Sequence, residues 1–179
     1  MSADDYRSTL RKFHVTDAFS KVRELTSQLG FRATDATTGQ PLDLRAQLEN
    51  LAKERHASAH DSSHSVSTMW LKTVGNLLIR FGLGFDILAS VGAANLRAGT
   101  PDYLANDEWM TAQRVSVHLV VERKSGFAHV REIGGRASKV LPDGDDLFRL
   151  ANRNRAISEI VARLDRNERV TDWTIPSVG

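Results

Sequence analysis

Between residues 54 and 61 the chain reads Glu54-Arg55-His56-Ala57-Ser58-Ala59-His60-Asp61, and its chemistry is concentrated there. A guanidinium carries a permanent charge on a planar fork of donors that fits a phosphate. An imidazole changes charge near neutral pH and can move a proton. Together they are sufficient for RNA cleavage without a metal, provided that the fold brings them to one phosphodiester.

The flanking elements must do that positioning. Residues 4 to 29 read as helical, with Thr16 and Asp17 as caps for a second helix and Gly30 as its stop. Residues 33 to 41 have loop composition. A helix is expected over about 42 to 57. Leu44, Leu48, Leu51 and Arg55 follow one another there at steps of four, three and four. Arg55 therefore continues an apolar stripe and should turn away from bulk water, which calls for an anion, a partner or an oligomer interface. Asp61, Ser62 and Ser63 are cap-type residues. The longest helix follows, over about 65 to 97. Val66, Met69, Trp70, Val74, Leu77, Leu78, Phe81, Phe85, Leu88 and Val91 hold a 3.6-residue period, and Gly82 and Gly84 bend it or let a neighbour approach. Beyond 99 to 102 the pattern shifts to strands, at 114 to 122 and 127 to 133 about a Lys124-Ser125-Gly126 turn. Leu147, Leu150, Ala151, Ile157, Ile160, Val161 and Leu164 fit a helix; alternatively 156 to 164 and 169 to 175 form two more strands, the reading favoured here. The expected class is α+β: an N-terminal helical bundle, residues 1 to 104, then a small β-rich module, residues 105 to 179.

Arginine followed by histidine after a gap of four to six residues occurs three times, at Arg7 and His14, Arg55 and His60, and Arg123 and His129. A chain with many arginines produces such pairs by chance, so context discriminates. Only Arg55 and His60 combine a polar ring beside the arginine, small residues between, a helix end and a long apolar helix next. On these residues, and on Phe81, Phe85, Asp86 and Leu88 in the following helix, the stretch from about residue 1 to 98 resembles the HEPN superfamily, closest to bacterial members from toxin and phage-defence systems.

The resemblance implies a helical bundle, a homodimer whose two motifs face a shared cleft, and metal-independent endoribonuclease activity. It implies that His60 serves as general base to a ribose 2′-hydroxyl or as acid to the leaving 5′-oxygen, and that Arg55 holds the scissile phosphate and its developing charge. His56 takes the polar position and orients His60 or contacts RNA, while Glu54 holds Arg55. RNA is the implied partner, together with an antitoxin or regulatory protein; no cofactor is implied. Some family members are inactive, so a non-catalytic module that binds nucleotide or protein is the alternative. Certain toxin relatives carry a tyrosine two residues after the motif histidine; Ser62 stands there in this chain.

Other readings are weaker. His56, His60 and His64 lie at steps of four, as metal ligands on a continuous helix would, but the cap-type residues between interrupt that helix, and no metal is expected. Arg123 and Lys124 make the first hairpin turn basic and could follow RNA phosphates, or form a solvated face balanced by Glu122 and Glu132. His118 and His129 are expected as a cross-strand pair or as surface contacts. Trp70, Trp109 and Trp173 are expected to pack rather than stack on bases.

The 179 residues carry a net charge of only +2, so RNA binding must be local rather than driven by bulk charge. Cysteine is absent, which excludes disulfides and thiolate metal sites. The acidic N-terminus does not read as a signal peptide. The apolar run over 77 to 91, interrupted by Arg80 and Asp86, reads as too polar and too short for a membrane span. A cytoplasmic protein is expected.

Overall fold

A computed structural model describes residues 2–35, 38–106, 109–111, 114–153, 155–156 and 158–175. The side chain of Met69, and Ile157, lie outside the described residues. The class is α+β: six helices and one five-stranded mixed sheet among the described residues.

The helices are α1 (Ala3–Arg11), α2 (Ala18–Ser27), α3 (Leu44–His60), α4 (Thr68–Ala98), α5 (Pro101–Ala105) and α6 (Gly144–Ala151). Local chemistry sets their starts. Ser2 and Asp5 form a capping box on α1. Asp43 and Ser67 accept from the first turns of α3 and α4, and Asp143 accepts from both Asp145 and Asp146 on α6. Asp17 begins α2 with left-handed backbone and no side-chain cap. Asp61 is extended and ends α3, accepting from Ser63 N–H at 2.8 Å.

The C-terminal half of α4 is the axis of the core. Phe81, Leu83, Ile87, Leu88 and Val91 are buried there against α1 and α2. Tyr6 is fully buried, and its hydroxyl donates to the Phe81 carbonyl at 3.0 Å. Gly84 allows the close approach of α2: a Cβ there would lie 2.7 Å from Val22 Cγ1. The N-terminal half of α4 differs. Leu71 and Leu78 are each 56% exposed and Ile79 is 37% exposed. The helix starts at Thr68, so Val66 of the expected stripe precedes it; from Trp70 to Val91 the period lies on one continuous helix, but only its second half is covered, and Leu78, expected on the buried stripe, is exposed.

Strands β1 (Ser116–Arg123), β2 (Gly126–Val130), β3 (Lys139–Leu141), β4 (Glu159–Leu164) and β5 (Val170–Thr174) assemble in the order β3-β2-β1-β4-β5. All neighbours are antiparallel except β1 and β4, which are parallel across a connection that contains β2, β3 and α6. Central β1 is buried on both sides. One face, with Leu119, Val121, Ile160 and Ala162, joins the same core cluster as Leu10, Leu25 and Ile87, so buried apolar contact runs across the 104/105 junction without a break. The other face sets Val120 and Val161 against Leu147 and Ala151 of α6. The ambiguous 147 to 164 stretch is thus a helix and then a strand, and β3 was not anticipated.

The membrane reading of α4 needs correction. Residues Thr73–Ala98 are long and apolar enough to span a bilayer by length and composition, contrary to the expectation from 77 to 91, and half of their most apolar window is buried inside the fold. The two interrupting charges are engaged: Arg80 Nε donates to Thr26 Oγ1 at 2.9 Å, and Asp86 accepts from Trp173 Nε1 at 2.8 Å.

Two glycines two positions apart should respond oppositely to the same change. Gly84→Ala must displace a buried branched side chain and is expected to cost about 1–3 kcal/mol. Gly82 has nothing within 4 Å of an added Cβ, so Gly82→Ala should be neutral or gain up to about 1 kcal/mol from helix propensity. Urea denaturation of both variants checks this; equal effects would contradict the packing described.

Candidate functional site

Helix α3 presents Arg55, His56 and His60 near its C-terminus, and all three are exposed. Along the Leu44, Leu48, Leu51, Arg55 stripe burial fades: Leu44 is 1% exposed, Leu48 5%, Leu51 is half-buried and Arg55 is exposed. The expectation that Arg55 turns from bulk water is corrected, because a groove separates this end of α3 from α4 and leaves the stripe uncovered. Arg55 instead forms part of the wall of a groove of about 900 Å³ between α3 and the N-terminal half of α4, with Leu51, Trp70, Val74 and Leu78. It makes no hydrogen bond or ion pair among the described residues.

His56 and His60, one turn apart, bring their ring centroids to 4.3 Å. Neither contributes to the groove lining. Residues five apart on a helix are turned by about 140° around its axis, so Arg55 and His60 of one chain diverge. The structure pairs His60 with His56 and leaves Arg55 on the apolar side.

Glu54 does not hold Arg55. Its Oε2 lies 2.9 Å from His64 Nε2, which ties the segment after α3 back onto the helix. This contact also removes the three-histidine ladder: α3 ends at His60, and His64 is turned to a carboxylate. Among the described residues no group of three histidine, aspartate or glutamate side chains is arranged to hold a metal. Arg123 ends β1 and Lys124 follows it in the turn to β2; Arg123 Nη2 donates to the Gly135 carbonyl at 3.3 Å, and neither residue contributes to the groove. Trp109 and Trp173 pack against the core, Trp109 edge-on to Tyr103 and Trp173 with its Nε1 donating to Asp86, whereas Trp70, expected to pack, lines the open groove.

A second titratable cluster lies at the end of α6, where His118 and His129 pair as expected at 3.2 Å. Arg155, Glu159 and Ser138 join them, and no spacing in the chain signals these three. Hydrogen-bond direction follows from Arg155, which can only donate. Its Nη1 donates to His118 Nε2 at 3.0 Å, so His118 Nδ1–H donates to His129 Nε2, and His129 Nδ1–H donates to Ser138 Oγ at 2.9 Å. Ser138 Oγ–H in turn donates to the His129 carbonyl at 3.1 Å. Adding a proton to either ring would set donor against donor. Burial first, then the Arg155 charge, holds both imidazoles below their ordinary 6.5; Glu159 opposes this at His118, and Arg131 reinforces it at both.

Exposed, unpaired side chains contribute little to stability, so Arg55→Ala and His60→Ala should each unfold within about 0.5 kcal/mol of wild type in urea; a larger loss would assign them a structural role. For the histidine chain the sign is fixed by linkage. The unfolded chain binds protons before the folded one as pH falls through 6.5, so stability is unaffected above that value and declines below it. Thermal melts at pH 7.5, 6.5 and 5.5 should show a falling midpoint, and a shallower fall in His129→Gln; a midpoint that rises on acidification would contradict the donor order.

No family model, curated protein or solved structure matches this chain.

Proposed function

We propose that the chain is a metal-independent endoribonuclease that acts as a homodimer in the cytoplasm, of the kind found in toxin and phage-defence systems, built on a HEPN-like helical half. The observation that carries this reading is Arg55: an exposed guanidinium with no partner among the described residues, on the wall of an apolar groove and one residue before a contacting histidine pair. A phosphodiester is the anion that an unpaired guanidinium beside an imidazole can hold and cleave. The groove supports the dimer. Burying a leucine is worth about 1.5–3 kcal/mol, and Leu71 and Leu78 stand exposed on this side of α4. A two-fold partner seated there covers them, and it offers a histidine from the opposite side to the Arg55 whose own His60 points elsewhere.

In this mechanism Arg55 grips the non-bridging oxygens, His60 takes the 2′-hydroxyl proton, and the 2′-oxygen bonds to phosphorus as the P–O5′ bond breaks, which leaves a 2′,3′-cyclic phosphate and a 5′-hydroxyl that takes its proton from solvent. His56 holds the His60 ring by contact. An antitoxin or regulatory protein would act by taking the partner subunit's place on the groove.

The divergence of Arg55 and His60 within one chain also favours a second reading, a bundle that binds RNA or protein without cleaving. One experiment separates the two. In excess EDTA, wild type should cut single-stranded RNA, and Arg55→Ala and His60→Ala should each lose about 100-fold or more. Mixing the two variants with subunit exchange should restore about a quarter of wild-type activity, because half the dimers then carry one intact composite site out of two. Wild-type inertness, or cleavage only on adding a divalent metal, rejects the nuclease; RNA retention without cleavage selects the binding module.

A further inference from the structure

A second cleft, of about 800 Å³, lies on the other side of α4, between the helical half and the β4–β5 turn. Arg80 contributes to its wall although the residue is only 4% exposed. Arg80 Nε donates to Thr26 Oγ1 and Nη1 donates to the Arg32 carbonyl, both at 2.9 Å, and the guanidinium lies 5.7 Å from the Phe31 ring centroid. Nη2 is buried with no hydrogen-bond partner. No carboxylate pairs with Arg80 among the described residues; the charge that acts on it is a second cation, Arg23, and burial together with that repulsion lowers the guanidinium to about 10. A buried, unpaired charge is among the more costly things a fold can contain.

The same cleft holds a second orphan of opposite character. Gln47 Oε1 is buried and accepts no hydrogen bond. A donor without an acceptor and an acceptor without a donor therefore border one cavity. Phe31 and Leu77 give it an apolar floor, and Arg32 and Arg169 add positive charge at its wall. Two acidic residues also border it. Asp165 is committed to its own turn, where Oδ1 accepts from the Asn167 and Arg169 backbone N–H groups at 2.8 and 2.9 Å; Glu168 is held in the same turn by its N–H to the Asp165 carbonyl.

We infer that this cleft is a binding site for a small organic anion, whose phosphate or carboxylate oxygen accepts from Arg80 Nη2 and whose hydroxyl or amino group donates to Gln47 Oε1, with an apolar body against Phe31 and Leu77. A volume of this order suits a compact metabolite rather than a polymer. The inference does not rest on Arg55 or on the proposed nuclease.

Phenyl phosphate and phenylacetate are the probes: they share the apolar ring and differ in the anion, so they distinguish phosphate from carboxylate. Calorimetric titration into the full chain should give saturable binding of at least one. Arg80→Met should abolish it. Arg80 also bonds Thr26 and Arg32, so a second variant leaves those bonds intact: Gly75 borders the cleft with open space at its Cβ, and Gly75→Trp should fill the cavity and weaken binding about tenfold or more while the thermal midpoint holds. Failure of both probes to bind wild type, or binding that survives Gly75→Trp, overturns the inference.

Discussion

Helix α4 is too long for its neighbours. Its 31 residues extend about 46 Å, whereas α1 and α2, of nine and ten residues, extend about 14–15 Å each. Two short helices cannot cover an apolar rod three times their length. They cover its C-terminal half, where Gly84 meets Val22 and Tyr6 bonds to Phe81, and the sheet completes the enclosure. The N-terminal half runs on with leucines on its surface and a groove along each side. Both candidate sites follow from that mismatch of lengths.

Arg80 marks the point where cover ends. It is the first buried residue of α4 among the described side chains, and its guanidinium reaches to α2 and to the loop beyond it. Arg55 is its counterpart on α3, at the point where the Leu44 to Leu51 stripe passes out of the core. In each case an arginine occupies the boundary between packed and open surface. There its methylenes lie on apolar neighbours while its charge remains available to an anion.

Much of this was legible in the residues. The leucine stripe of α3, the long period of α4, the His118–His129 pair and both later strands rest on spacing alone, and spacing survives folding because side-chain direction is fixed by backbone period. What spacing does not encode is cover. Leu78 and Leu88 have equal standing in the period, yet only Leu88 is buried, because burial depends on which distant segment arrives. The partner of Glu54 was unreadable for the same reason: His64 returns to it only because α3 stops at Asp61. Arg80 was visible as a charge inside an apolar run, but its lack of a counter-ion, and the matching orphan on Gln47, exist only once α2, α3 and α4 are assembled. Short β3 lacks enough residues to show an alternation.

Leu71 belongs to the walls of both grooves. An occupant on one side that shifts Leu71 changes the wall met on the other, and any coupling that results is reciprocal: each occupant then alters the other's affinity by the same factor. A fold that leaves one helix half-clothed has made that helix a lever.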